Sequence, residues 1–209
     1  GVICPWNLPL LLMTWKVGPA LACGNTVVVK PSEDTPRTAA LLGEVMNKVG
    51  IPKGVYNVVN GFGMNSAGAF LTAHPEVDAL TFTGETRTGE VIMKAAANGS
   101  RPVSLEMGGK NPLVVLDDAD LPTAVNVAVQ GSFFSTGQRC TASSRLVVTA
   151  GIHDRFVAAM TDKLKSLKVD DALAPGTDIG PVVDPSQLEQ DLRYIEIGTG
   201  GWDHHFDIK

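Results

Sequence analysis

The sequence predicts an α/β fold, with a parallel Rossmann-like sheet and flanking helices followed by part of a second α/β domain. Three observations predict it. Short β-branched runs alternate with stretches of helical periodicity from Asn25 onward, a rhythm that produces right-handed crossovers and a parallel sheet. The composition, 44% hydrophobic and 19% charged over 209 residues, is that of a globular protein. The paired glycines Gly108 and Gly109 supply a joint between two lobes.

In chain order, "NTVVVK" reads as a compact strand. The stretch "TPRTAALLGEVMNKVG" then reads as a helix, with Thr35 as its N-cap, Pro36 at the first helical position and Gly50 past its end. Leu41, Leu42, Val45, Met46 and Val49 recur at helical spacing, so this helix is expected to lie on the sheet. "VYNVVNG" and "VDALTFTG" are further strands, and "TRTGEVIMKAAANG" is a second helix. The strand "PVSLEMGG" runs into "NPLVVLDDADL", whose Asp and Pro residues mark a break before a helix around residues 123–134. "SSRLVVTAG" is another strand, and residues 153–167 form an amphipathic helix. "APGTDIGPVVDPSQ" is loop-like, and residues 199–209 stay unassigned. The expected domains are 1–108 and 109–198.

Bulk properties exclude several partner classes. A net charge of -5, with Lys and Arg scattered, offers no basic field for nucleic acid. Apolar runs such as "LPLLLMTW" stop well short of the ~20 residues that span a bilayer. Cys4, Cys23 and Cys140 form no CxxC pair, which predicts reduced thiols in a cytoplasmic setting. His74, His153, His204 and His205 lack metal-ligand spacing, so no metal site is expected.

Five stretches carry candidate chemistry. Cys140, in "FFSTGQRCTASSR", follows a glycine turn and Arg139 and precedes small residues that leave room for a substrate. It reads either as a nucleophile assisted toward thiolate or as a buried cysteine opening a strand. Glu106, in "VSLEMGGKNP", sits where burial would make it a general base, or else pairs with Lys110. Asn7, in "CPWNLP", holds its amide in constrained backbone, suited to an oxyanion hole or to capping a turn. Lys30 and Glu33, in "VVVKPSEDTP", lie at a strand's carboxyl end, where open parallel sheets bind ligands and ribose hydroxyls could be gripped. "FTGETRTG" offers Gly84 and a helix start to a phosphate, whereas "GFGMNSAG" only approaches GxGxxG.

Taken together and in this order, "PWNLP", "KPSEDTP", "FTGETRTG", "LEMGGKNP" and "STGQRCTASSR" resemble the NAD(P)-dependent aldehyde dehydrogenase superfamily. The resemblance makes residues 1–108 part of a cofactor-binding domain and residues 109–198 part of a catalytic domain. It implies that Cys140 attacks the aldehyde, that Asn7 and the Cys140 N–H hold the oxyanion, and that Glu106 activates water to release the acid. Lys30 and Glu33 would bind ribose hydroxyls, Trp6 and Gly84 would line the cofactor phosphates, and Thr83 would approach the nicotinamide. Pro5, Ser32, Gly63 and Met107 complete the implied cofactor set. Glu85 stands on the expected pyrophosphate path where "FTGS" is common.

Up to about Gly109 the likeness is to hydroxymuconic-semialdehyde dehydrogenases, and from "EMGGKNPLVVLDDADL" on it is to ketoglutarate-semialdehyde dehydrogenases. The implied substrate is a small aldehyde, a semialdehyde carrying a carboxylate. The implied cofactor is NAD, with NADP possible, because a carboxylate at the ribose repels a 2′-phosphate. The resemblance also implies a partial chain whose full-length form is a homo-oligomer. The other reading is a nucleotide-binding fragment without catalysis.

Overall fold

Val27 and Val29 face one side of a strand and Val28 the other, and each side meets its own helices. The computed structural model describes residues 1–200. They fall into two units, Gly1–Gly109 and the residues from Lys110 on. In the first, β1 (Val2–Ile3), β2 (Val27–Lys30), β3 (Tyr56–Val58), β4 (Leu80–Gly84) and β5 (Val103–Met107) form one sheet in the order β3-β2-β1-β4-β5. Every pairing is parallel, as the alternating pattern predicts. The crossovers are α1 (Pro9–Ala22), α2 (Arg37–Lys48), α3 (Ala67–Ala73) and α4 (Thr86–Ala97).

Both faces of this sheet are covered. Val2, Val27 and Val29 pack with Met13 and Val17 of α1 and Ala39 of α2. Ile3, Leu80 and Phe82 pack on the other face with Leu71 of α3 and with Ile92 and Ala96 of α4. Full burial of each such valine or leucine contributes about 1.5–3 kcal/mol. This explains how β1, two residues long, holds the sheet's centre, although its brevity gives no strand signal in the sequence. The reading from Asn25 onward also passes over α1 and α3.

The apolar face expected of α2 is only half used. Ala39 is buried and Leu42 and Met46 pack beside it, but Leu41, Val45 and Val49 are exposed. Thr35 does not cap this helix: Pro36 stands at the N-cap, and the Thr35 hydroxyl is buried without a hydrogen-bond partner.

In the second unit, β6 (Asn111–Val115) pairs in parallel with β7 (Ser143–Val148). Between them run α5 (Leu121–Phe133) and a 3₁₀ turn (Phe134–Gly137), and α6 (His153–Lys165) follows. Asp120 caps α5 by accepting a hydrogen bond from the Thr123 N–H at 3.1 Å. Val115, Val125, Ala128, Val129, Ile152 and Phe156 make the core. A last helix, α7 (Pro185–Gly200), occupies a stretch read partly as loop, and it extends into the segment left unassigned. His204 and His205 lie outside the described residues.

Candidate active site

The sheet order reverses direction at β1, between β2 and β4, and open α/β sheets bind ligands outside the carboxyl ends of strands at such a switch point. A cleft of about 490 Å³ lies there in the first unit. Pro5, Trp6, Lys30, Ser32, Glu33, Gly63, Thr83, Gly84 and Glu85 all line it. The sequence had marked each of these nine.

Lys30 ends β2 with its side chain almost wholly buried, and its ammonium donates to Glu33 Oε2 at 2.8 Å. A cation this deep needs such a partner to offset its lost hydration. Partial burial pushes the Glu33 carboxyl upward, but the hydrogen bonds from Lys30 and the backbone and the Lys30 charge outweigh it. The net shift holds the carboxyl below the ordinary value. Ser32 is buried, and its hydroxyl oxygen accepts from the Asp34 N–H at 3.3 Å. Its hydroxyl therefore first shapes the Ser32–Asp34 turn.

Thr83 is 5% exposed, and its hydroxyl has no hydrogen-bond partner although it lines the cleft. An orphaned buried hydroxyl in a ligand cleft fits a bound polar group. Glu85 stands one residue before α4, and its Oε1 lies 3.9 Å from Arg87 Nε. Arg87 also lines the cleft and so sets a positive charge beside the carboxylate on the expected pyrophosphate path. Across the cleft, a Cβ added to Gly68 would meet the Cα and O of Gly63 at 3.0 Å. Glycine there lets α3 and the 61–65 turn approach closely, a contact hidden from the sequence because α3 is too short to read.

Met107 does not line the cleft. Its sulfur occupies the space beside Gly89 of α4, and the side chain packs with the core around Leu80 and Phe82. Nor do Asn7 and Glu106 line it. Asn7 Oδ1 accepts from the Leu8 N–H at 3.0 Å, the local capping that its sequence context allows. Glu106 pairs with Thr83 across the β4–β5 ladder but is exposed on the edge strand. The burial expected of a general base is therefore absent in this chain. Among the described residues Glu106 also makes no ion pair with Lys110.

Cys140 belongs to the second unit and is half-exposed, in the turn before β7. Ser135, Thr136 and Gly137 just upstream have φ of 55°, 58° and 68°, three consecutive left-handed residues. Such strain in non-glycine residues costs about 1–3 kcal/mol each and persists only where the surroundings enforce it. Here the Thr136 hydroxyl donates to Gly180 O at 3.2 Å, and Gln138 Oε1 accepts from the Val183 N–H at 2.9 Å. Arg139, expected to lend its charge to the thiol, instead donates to the carbonyls of Gln130 and Gly131 near the end of α5. Cationic groups are favoured at helix C-termini by the dipole and by the unpaired carbonyls.

The other thiols differ. Cys4 is in the core, and burial pushes its thiol up to about 11, while Cys23 is exposed at the C-cap of α1. Peptide mapping after iodoacetamide treatment at about pH 8 is expected to find Cys4 labelled last. Its thiolate fraction there is on the order of 100-fold below that of an ordinary thiol, before occlusion is counted. No cluster able to hold a metal occurs among the described residues, and no helix among them is long and apolar enough to cross a membrane.

The chain is 58% identical over 196 residues to 2-hydroxymuconic semialdehyde dehydrogenase of Pseudomonas sp. (strain CF600), an alignment covering 94% of the chain and 40% of that protein. It is 53% identical over 197 residues to a 2-aminomuconic 6-semialdehyde dehydrogenase of Pseudomonas sp, again 94% of the chain and 40% of the relative. Among solved structures, betaine aldehyde dehydrogenase of Staphylococcus aureus in complex with NAD+ superposes with a TM-score of 0.90 at 42% identity, covering 95% of the chain and 39% of that structure. The chain thus spans about 40% of the length of the relatives it matches. The model of the aldehyde dehydrogenase family matches residues 1–203, and the chain belongs to that family.

Proposed function

We propose that the chain is part of an enzyme that oxidises an aldehyde, of the carboxylated semialdehyde class, to the acid with NAD(P)+. The observation that carries this reading is the half-exposed Cys140 thiol just downstream of three consecutive left-handed residues, Ser135 to Gly137, in a chain of this family. The named substrates of the two Pseudomonas relatives support the semialdehyde class.

In this reading Cys140 Sγ bonds to the carbonyl carbon, while the Cys140 N–H and the Asn7 amide stabilise the negative oxygen. NAD(P)+, when bound, supplies the hydride acceptor. After hydride leaves the carbon the substrate is a thioester on Cys140. Glu106 takes a proton from water as it attacks, the C–S bond breaks, and the acid departs with the thiolate restored. The cleft fits the dinucleotide by its orphaned Thr83 hydroxyl, its pair of a buried Lys30 and an exposed Glu33, and its Gly63–Gly68 approach.

The test is NADH or NADPH formation by the purified chain with propanal, succinic semialdehyde and 2-hydroxymuconic semialdehyde. Turnover with the carboxylated substrates supports the reading. A folded chain that binds NAD without turnover favours the other reading, a nucleotide-binding fragment without catalysis, which the exposure of Glu106 supports.

The Glu33→Gln substitution is expected to raise the preference for NADP over NAD about tenfold, since it removes the negative charge facing a 2′-phosphate. Dissociation constants for the two cofactors measure it. Because the carboxyl of Glu33 sits below its ordinary value, it stays charged to lower pH than an ordinary glutamate does. The unsubstituted chain is expected to lose its NAD preference at a lower pH than an unshifted glutamate would give.

A further inference from the structure

We propose that Asn111 is a positioning residue for Cys140. The side-chain Nδ2 of Asn111 donates to Cys140 O at 2.7 Å and to Ala142 O at 3.1 Å, spanning the exposed Thr141. One amide group thus ties both ends of the cysteine's turn to β6.

The ladder itself cannot do this. β7 begins only at Ser143, and the β6–β7 register shifts between Asn111 and Pro112, whose partners are Ser143 and Arg145. Among the described residues the turn's own closure is one backbone bond, from the Ala142 N–H to Arg139 O at 3.0 Å. Without a side-chain tie the Cys140–Thr141 peptide plane would be free to rotate, and the direction of the Cys140 Cα–Cβ bond would follow it.

The anchor is stiff for a local reason. Asn111 precedes Pro112, which confines it to extended backbone, and it is the first residue of a paired strand. Asn111 is half-buried, so its two bonds compete little with water. The sequence carried the signal in "GGKNP", but only the fold brings that Asn to a turn 29 residues on.

The consequence for turnover rests on Cys140 being the nucleophile, but the clamp can be read without turnover. Iodoacetamide labelling of Cys140 is followed by peptide mass mapping in the unsubstituted chain and in Asn111→Ala, Asn111→Asp and Asn111→Ser. Asp has the shape of Asn without the donor, and Ser keeps a donor. Labelling is expected to quicken about 5-fold or more in the Ala and Asp variants, the factor one net hydrogen bond is worth, and to return toward the unsubstituted rate with Ser. Peptide-resolved hydrogen exchange of α5 and α6 is expected to stay unchanged.

Labelling that changes by less than about twofold in both the Ala and Asp variants overturns the proposal. So does a rise matched by faster exchange throughout α5 and α6, which means general loosening. A labelling response in a chain that forms no NADH upholds the clamp while the oxidation reading fails.

Discussion

Cys140→Ala is expected to lower NADH formation by at least ~10⁴-fold, because without the sulfur there is no covalent adduct from which hydride can leave. The loss should be chemical and not structural. Cys140 is half-exposed and outside the core built on Val115, Val129 and Phe156, so the melting curve is expected to match that of the unsubstituted chain. Cys140→Ser separates shape from nucleophilicity. The hydroxyl keeps the size and hydrogen bonding of the side chain but is almost never ionised, and a fall on the order of 10³-fold is expected. Turnover surviving in Cys140→Ala would show that another group carries the chemistry.

Lys30→Met is expected to weaken NAD binding by about 10- to 100-fold, the worth of one to two charge-assisted hydrogen bonds. Lys30 is 5% exposed, and among the described residues its only charged partner is Glu33 at 2.8 Å. Methionine fills the buried channel of the lysine stem but leaves Glu33 without the group that orients it. Stability should change little, since the Glu33 side chain is 41% exposed and water can solvate the released carboxylate. Isothermal titration calorimetry with NAD checks this whether or not the chain turns over. An unchanged dissociation constant would remove the Lys30–Glu33 pair from the cofactor site.

The candidate cleft was legible where its residues are neighbours in the chain. Lys30, Ser32 and Glu33 follow one strand within four positions, and Thr83, Gly84 and Glu85 close another, so a strand end plus polar residues identifies them. The cleft's other wall was not legible. Gly63 and Gly68 matter because two backbones touch, and α3 has only seven residues, too few for a periodic signal. Arg139 shows the limit differently. Adjacency to Cys140 suggested a role at the thiol, yet its guanidinium reaches back to α5, where a helix end offers unpaired carbonyls.

Local patterns by themselves determined the α/β alternation, the parallel sheet and the ordered motifs that mark the family. These depend on periodicity, on turn residues and on side-chain chemistry within a few positions. The tertiary structure alone decided that a two-residue strand is central, that Glu106 lies exposed on an edge and that half of the α2 apolar face stays uncovered. It also decided that Asn111 reaches the turn of Cys140. Burial and strand position follow from which distant segments pack together, and no local window contains that contact.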